Sequence, residues 1–371
     1  SGRVAGLTVS KSSNGLAAMN AVRVRGTTSL TGGNDPLFII DGVLGDLATL
    51  SSISPTDIES FSILKDAAET ATYGSRGASG VIVVRTKQSN TGGSSVSYSG
   101  SVGFTNVCKR LNMLSADGYR REVTDRSLML IDKGADTDWD REISQTGFQT
   151  DHHVALSGGN DDSGYRVSLG YVSHTGIIMN DKMRNFTSNM NFHRKLFGGR
   201  LKADVGMFGN TLKEQTAIFD VQKTFYSAAA FNPTFPDGDD ANGNYPSIPE
   251  ATWISNPNAL LTMKQDEDNA HFNIHLNATL TLAPKLKLRA FGSYSYNNVN
   301  NAHYYPTNVW SRAEAYRGND KSSELLGNVS VDYTLNTRHS ALNIMALAEA
   351  ESKKSTGFFT TRSEEHTSEL Q

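Results

Sequence analysis

Between His271 and Leu282 every second residue is apolar: Phe272, Ile274, Leu276, Ala278, Leu280 and Leu282 fall on one side, and Asn273, His275, Asn277, Thr279 and Thr281 on the other. A period of two belongs to a β-strand, where successive side chains point to opposite faces. After the short turn Ala283-Pro284-Lys285 the pattern resumes, with Leu286, Leu288, Ala290, Gly292, Tyr294 and Tyr296 opposite Lys287, Arg289, Ser293 and Ser295. These runs predict a hairpin with one apolar and one polar face. The same alternation recurs in Tyr165–Tyr171, Phe186–Phe192, Leu201–Met207, Val329–Leu335 and, more weakly, Leu342–Ala348. With Val96–Thr105 and Phe148–Ser157 the count reaches about nine strands, each near the ~9 to 11 residues that cross a bilayer at a tilt.

The connections sort into two kinds. Short turns are expected at Gly158–Gly164, Phe197–Gly199, Ala283–Lys285 and Asn336–His339, and long ones at Asn106–Gly147, His174–Arg184, Lys213–Asp268 and Asn301–Ser322. Short and long strictly alternate, which is the habit of a membrane β-barrel, with tight turns on one side and long loops outside. A secreted β-sandwich explains a single alternating hairpin equally well but gives no reason for loop length to switch at every turn. The mean hydropathy of -0.40 and the lack of any run of ~18 to 20 apolar residues rule out a membrane helix and leave a barrel open, because barrel strands alternate. The 35 basic and 38 acidic residues nearly cancel, so there is no basic field to attract nucleic acid. A single cysteine, Cys108, excludes an internal disulfide and any multi-cysteine metal cluster.

The first ninety residues have another texture. After Ser54-Pro55, the positions Asp57, Ile58, Phe61, Leu64 and Ala68 recur at helical spacing and predict a short amphipathic helix. Gly74, Gly77 and Gly80 then release the backbone ahead of Val81-Ile82-Val83-Val84, a run apolar on both faces that suits a doubly covered strand. The GSRGASG stretch follows a helix and precedes a strand, the reverse of a phosphate loop. Taken alone, this piece also fits a soluble α/β unit.

Three ordered segments, VRVRG at Val22–Gly26, PLFIIDGV at Pro36–Val43 and LKDAAETATYGSRGASGVIVVRT at Leu64–Thr86, together resemble the plug of the SusC/RagA family of TonB-linked outer-membrane transporters. HHVALSGGNDDSGYRVSLGYVSHTGIIMN, His152–Asn180, resembles the first hairpin region of that family's barrel, and Asn232 through Tyr245 its proline-rich outer loop. The resemblance implies an α+β plug domain followed by part of an antiparallel transmembrane β-barrel, in a family whose barrels resemble the ~22-stranded plugged transporters. The expected divisions are a plug over 1–88 that lacks its beginning, a linker over 89–95 and part of the barrel over 96–361. Residues 1–7 resemble the middle of a plug, so the absence of a signal peptide says nothing. Arg362–Gln371 is the translation of a common sequencing adapter and is expected to be an artefact.

The plug motif residues are Arg23, Arg25, Gly26, Asp41, Gly42, Asp66, Tyr73, Gly74, Arg76, Gly77 and Gly80. For the charged ones, Arg23, Arg25, Asp41, Asp66 and Arg76, the expected role is an ion-pair network holding the plug in a polar lumen, against a bland alternative of solvated charges. The resemblance further implies a TonB complex acting through a TonB box missing here, a SusD-like surface lipoprotein, an oligosaccharide or peptide ligand, and contact with outer-membrane lipid.

No catalytic constellation emerges. His152 and His153 are adjacent and point to opposite faces of a strand. Asp237-Gly238-Asp239-Asp240-Ala241-Asn242-Gly243 has the look of a calcium loop, yet an EF-hand frame ending its turn at Gly243 puts Gly238 and Pro249 at ligand positions, which favours a plain turn and leaves another calcium geometry open. Asp332 and Glu349 show no acid/base pairing, and Ser157-Gly158-Gly159 is no nucleophile elbow. Trp139, Trp253, Trp310, Tyr245, Tyr304 and Tyr305 fall in expected outer loops, where they stack on ligand or, in most cases, pack the loops together. The sequence thus predicts a plug-gated importer without cofactor or metal. Its rivals are a surface receptor or adhesin that holds ligand without passing it, and a secreted carbohydrate-active enzyme that would need a carboxylate pair not found here.

Overall fold

A computed structural model describes residues 7–10, 21–24, 35–66, 70–89, 93–216, 221–240, 243–251, 253–307, 309, 312–336 and 341–365. Two short strands, β1 (Leu7–Ser10) and β2 (Ala21–Val24), pair antiparallel. A mixed sheet follows in the order β4-β3-β6-β5, built from β3 (Leu37–Ile40), β4 (Val43–Gly45), β5 (Ile58–Leu64) and β6 (Val81–Thr86). β3 and β6 run parallel at its centre, and Val81, Ile82 and Val84 are buried there as the two-sided apolar run predicts. Asp41-Gly42 turns β3 into β4 with φ of 50° and 95°, the pair of positive angles of a type I′ hairpin that an Asp-Gly dipeptide supplies. Helix α1 (Leu47–Ser51) carries a capping box between Asp46 and Thr49.

The helix expected from Asp57 onward is absent. Pro55–Asp57 makes one 3-10 turn, and Ile58–Leu64 is strand β5, antiparallel to β6. A bulge between Ile58 and Ser60 breaks the alternation, so that Ile58 and Ile63 both pack on the core while Glu59 and Phe61 are exposed. The free edge of β6 offers a full ladder of hydrogen bonds, which outweighs a weak helical spacing.

The second unit is a nine-stranded antiparallel sheet in simple sequence order. Its strands are β7 (Ser95–Thr105), β8 (Gly147–Gly159), β9 (Ser163–Thr175), β10 (Lys182–Leu196), β11 (Leu201–Thr216), β12 (Lys264–Ala283), β13 (Leu286–Tyr305), β14 (Arg312–Asn336) and β15 (Ala341–Glu365). All nine expected strands are present. The apolar positions of β12 face outward, with Phe272, Ile274 and Leu276 exposed, while Asn273 and His275 are buried on the inner side. On β13 the outward apolar run from Leu286 to Tyr296 measures about 34 Å along the strand and about 26 Å at a tilt of ~40°, close to the ~25 Å apolar band of an outer-membrane barrel.

Three loop expectations shrink, the connection after β9 occupying only residues 176–181. The connection after β13 occupies only residues 306–311, and β12 starts at Lys264, because the strands continue past the apolar band. There both faces carry polar side chains, so the alternation stops while the backbone ladder goes on. On the outward face Asn319 Nδ2 donates to Asn298 Oδ1 and Asn300 Oδ1, each at 2.7 Å, which marks where the apolar band has ended. Tyr304 and Tyr305 therefore stand on a strand instead of a loop. Arg362–Glu365 continue β15, with Glu365 opposite Arg312. Backbone pairing accepts any side chain, so these four residues fit the ladder whatever their origin. Residues 366–371 lie outside the described ones.

The long connections form a cap around helices α2 (Ala116–Asp125), α3 (Trp139–Glu142), α4 (Val221–Ala230) and α5 (Pro257–Leu261). Trp139, Ile143, Phe231 and Phe235 are its core. Trp139 meets Phe231 edge-on at 5.0 Å and donates Nε1–H to Asn232 O at 3.0 Å, so this aromatic packs loops together as expected. Trp253 is 68% exposed, and Trp310 lies outside the described residues.

Candidate functional site: the seam between plug and wall

The wall wraps around the small sheet, and the two units share a core. Phe208 of β11 and Phe291 of β13 point inward and pack with Val24, Phe38, Ile40, Val43 and Val84. Gly42 sits against the Phe291 ring, where a Cβ would approach to 3.3 Å. Gly80, at φ 96°, lets Val24 close in to within 2.8 Å of where its Cβ would be.

Around that apolar contact the seam is polar. Asp57, its side chain 3% exposed, accepts from Arg166 Nη2 at 2.9 Å and from Ser168 Oγ at 2.6 Å. His153 Nε2 lies 3.0 Å from the same carboxylate, at ion-pair distance but out of line for a hydrogen bond. Arg166, Ser168 and His153 come from β8 and β9, so this cluster ties plug to wall. Beside it, Asp41 accepts from Thr86 N at 3.0 Å and Thr86 Oγ1 at 2.6 Å, and Asn191 of β10 donates to Thr86 Oγ1 at 3.1 Å. Asn277 of β12 reaches Asp41 O at 3.5 Å. On the far side Arg76 forks to Glu349 at 3.0 Å and Glu351 at 2.7 Å, both on β15.

A cavity of about 310 Å³ lies beside Arg76, between α1 and the wall. Its walls include Asn210, His271 and Asn297, in the halves of their strands nearer the long connections, and Glu324 and Lys353 at mid-strand. Lys353 and Glu324 stand 3.8 Å apart.

Asp41 and Arg76 make separate contacts to the wall. Arg23 is exposed on β2 and Asp66 is exposed after β5, where its backbone O accepts from Thr70 N at 3.0 Å. Tyr73 is half-buried, Gly74 takes φ 57°, and a Cβ on buried Gly77 would lie 2.9 Å from Thr70 O. Arg25 and Gly26 lie outside the described residues.

Sequence reasoning missed the wall partners and Asp57. The signal was present: Arg166, Ser168, Asn189 and Asn191 occupy the polar face of strands whose other face is apolar, and an inward arginine demands a partner. His152 and His153 do point apart, His152 outward to the Tyr98 hydroxyl at 2.8 Å and His153 inward to Asp57. Of the Asp237–Gly243 stretch, residues 241–242 lie outside the described ones, and Asp240 Oδ1 accepts from Asn244 N at 2.8 Å. Among the described residues no group of three or more His, Cys, Asp or Glu is arranged to hold a metal.

The family model of the TonB-dependent Receptor Plug Domain matches residues 1–81. The chain is 34% identical over 324 residues to the TonB-dependent receptor SusC of Bacteroides thetaiotaomicron, an alignment covering 78% of this chain and 32% of that protein. It is 31% identical to the TonB-dependent receptor P3 of Formosa agariphila, over 84% of this chain and 32% of that one. The chain belongs to the SusC/RagA family of TonB-dependent receptors. It spans about a third of the length of these curated relatives. The fold agrees: the RagAB peptide importer in the closed-closed state superposes with a TM-score of 0.81 at 19% identity, over 100% of this chain and 47% of that one. The four-stranded unit is therefore the plug, and the nine strands are part of the transmembrane barrel.

Proposed function

We propose that the full-length parent of this chain imports a large nutrient, an oligosaccharide or a peptide, across the outer membrane of a Gram-negative bacterium, and that an inner-membrane TonB complex energises the step. The observation that carries this reading is the seam itself, a lumen filled by a separate folded unit and lined on the contact surface by Asp57, Arg166, Asn191, Arg76 and Glu349. A lumen so filled is closed to a large solute, and clearing it requires work. The outward band from Leu286 to Tyr296 meets lipid, a SusD-like lipoprotein covers the outer mouth, and the plug charges seat the plug. The protein acts by binding and passage, not by catalysis.

Uptake of labelled maltodextrin and tryptic peptides by cells expressing the parent should collapse when TonB is deleted. Uptake that is indifferent to TonB would overturn the energised reading, and ligand binding without any uptake would favour a surface receptor or adhesin.

A further inference from the structure

The strands β9–β14 are each paired on both sides, so the outward face they present does not depend on the remaining barrel strands. Past the apolar band, toward the long connections, the register fixes which charge comes first on that face. On β10 it is Arg184, with Lys182 after it, on β11 Lys213, and on β14 Lys321, with Arg317 after it. All five are exposed. Among these strands β12 alone leads with an acid, Asp268, which stands 3.8 Å from Lys213. Glu214, Glu267 and Asp320, at the same end of β11, β12 and β14, face inward and carry the opposite sign. At the turn end the outward positions of β9–β14 hold residues such as Tyr165, Leu201, Leu286 and Tyr333, and a single charge, Arg194.

The bases therefore gather on one face and at one end. Arg184 is the next outward residue after Phe186, about 7 Å further along the strand, which is where lipid headgroups replace acyl chains. Arg184 and Lys213 stand directly opposite in register, an arrangement of like charges that is unfavourable unless an anion shares it. Among the described residues no carboxylate lies at ion-pair distance from Lys182, Arg184, Arg317 or Lys321. Long basic side chains lay their stems along apolar surface and hold their charge at the headgroup level, where anionic lipid attracts them.

We propose that this outer belt binds the phosphate groups of an anionic glycolipid in the outer leaflet, with Arg184 and Lys213 as one clamp and Lys321 and Arg317 as another. A zwitterionic headgroup gives no reason to place the bases at the loop end and leave the turn end almost uncharged. The inference rests on the outer-membrane placement above and is independent of what the parent imports.

The full-length parent tests it. Protein extracted from outer membranes is exchanged into phosphatidylcholine nanodiscs and titrated with lipid A, with lipid A stripped of its phosphates, and with inorganic phosphate as competitor. Lipid A should bind and its phosphate-free form should not. At roughly fivefold per base, Arg184→Gln with Lys213→Gln should weaken binding by roughly tenfold or more, and so should Arg317→Gln with Lys321→Gln. Arg184→Lys with Lys213→Arg should restore it, which a merely misfolded barrel would not allow. Arg194→Gln removes an equal charge at the turn end and should change nothing. Unaltered binding in both Gln pairs, equal binding of the phosphate-free lipid, or an equal loss on Arg194→Gln overturns the belt. Displacement of lipid A by an equal concentration of inorganic phosphate overturns the lipid as its occupant. A parent missing from the outer-membrane fraction overturns the placement on which the proposal rests.

Discussion

The cap and the seam are both interfaces between segments far apart in sequence, yet they are built from opposite materials. The cap closes on Trp139, Ile143, Phe231 and Phe235, and its two long loops are stitched by backbone bonds such as Ala135 N to Thr234 O at 2.9 Å. Apart from Phe208 and Phe291, the seam relies on carboxylates, guanidinium groups, amides and hydroxyls. Apolar contact is stable because separating it exposes surface at roughly 25 cal/mol per Å². A hydrogen bond exchanged for water changes the balance by only about 0.5 to 1.5 kcal/mol. An interface meant to stay shut gains from the first, and one that must part and re-form gains from the second.

The largest expected effect lies in the cap. Trp139→Ala removes the central ring and an indole donor, and should cost about 3 to 5 kcal/mol of local stability. Limited proteolysis of the outer loops in the parent should accelerate sharply while the barrel strands stay protected. If the strands lose protection too, cap and barrel fold as one unit, and the contrast between the two interfaces is not independent of the wall.

A smaller effect comes from Asp181, in the β9–β10 connection that sets Ile178 beneath Phe225 and Leu261. Its carboxyl is buried, Oδ1 has no partner, and burial, with Glu214 nearby, raises its pKa to about 6. The folded cap therefore holds a proton that the unfolded chain, with a value near 3.8, releases earlier. Between those values the folded state binds more protons, so stability falls as pH rises and is fully lost only above about 6. Cap stability measured by hydrogen exchange should drop by about 1 kcal/mol from pH 5 to pH 7, and Asp181→Asn should flatten that slope. A slope unchanged in the Asn variant would assign it to another group.

What was legible in the sequence follows the same division. The wall strands were readable because lipid outside and polar contacts inside force a period of two, as in Phe272 to Leu282. Their outer ends were not, since Asn297–Asn301 and Gly318–Ser323 are polar on both faces almost throughout and carry no period. β5 was misread because IESFSIL carries no clean period of two, its register broken by a bulge between Ile58 and Ser60, and only pairing with the edge of β6 makes it a strand. Of the seam, Arg76 and Asp41 were visible as motif charges. Asp57 was not, because its role depends on Arg166, a residue more than a hundred positions away, and no local pattern links the two.

Arg76→Gln should produce the smallest shift and sharpens the comparison most. Arg76→Gln removes two ion pairs and leaves the shared apolar core untouched, so the parent should fold and insert normally. Hydrogen exchange should quicken in Ala71–Gly77 and leave β5 unchanged, because β5 is held through Asp57 and by pairing with β6. If Arg76→Gln also strips protection from Ile58–Leu64, the two fastenings are coupled, and the plug lets go of the wall as a single body.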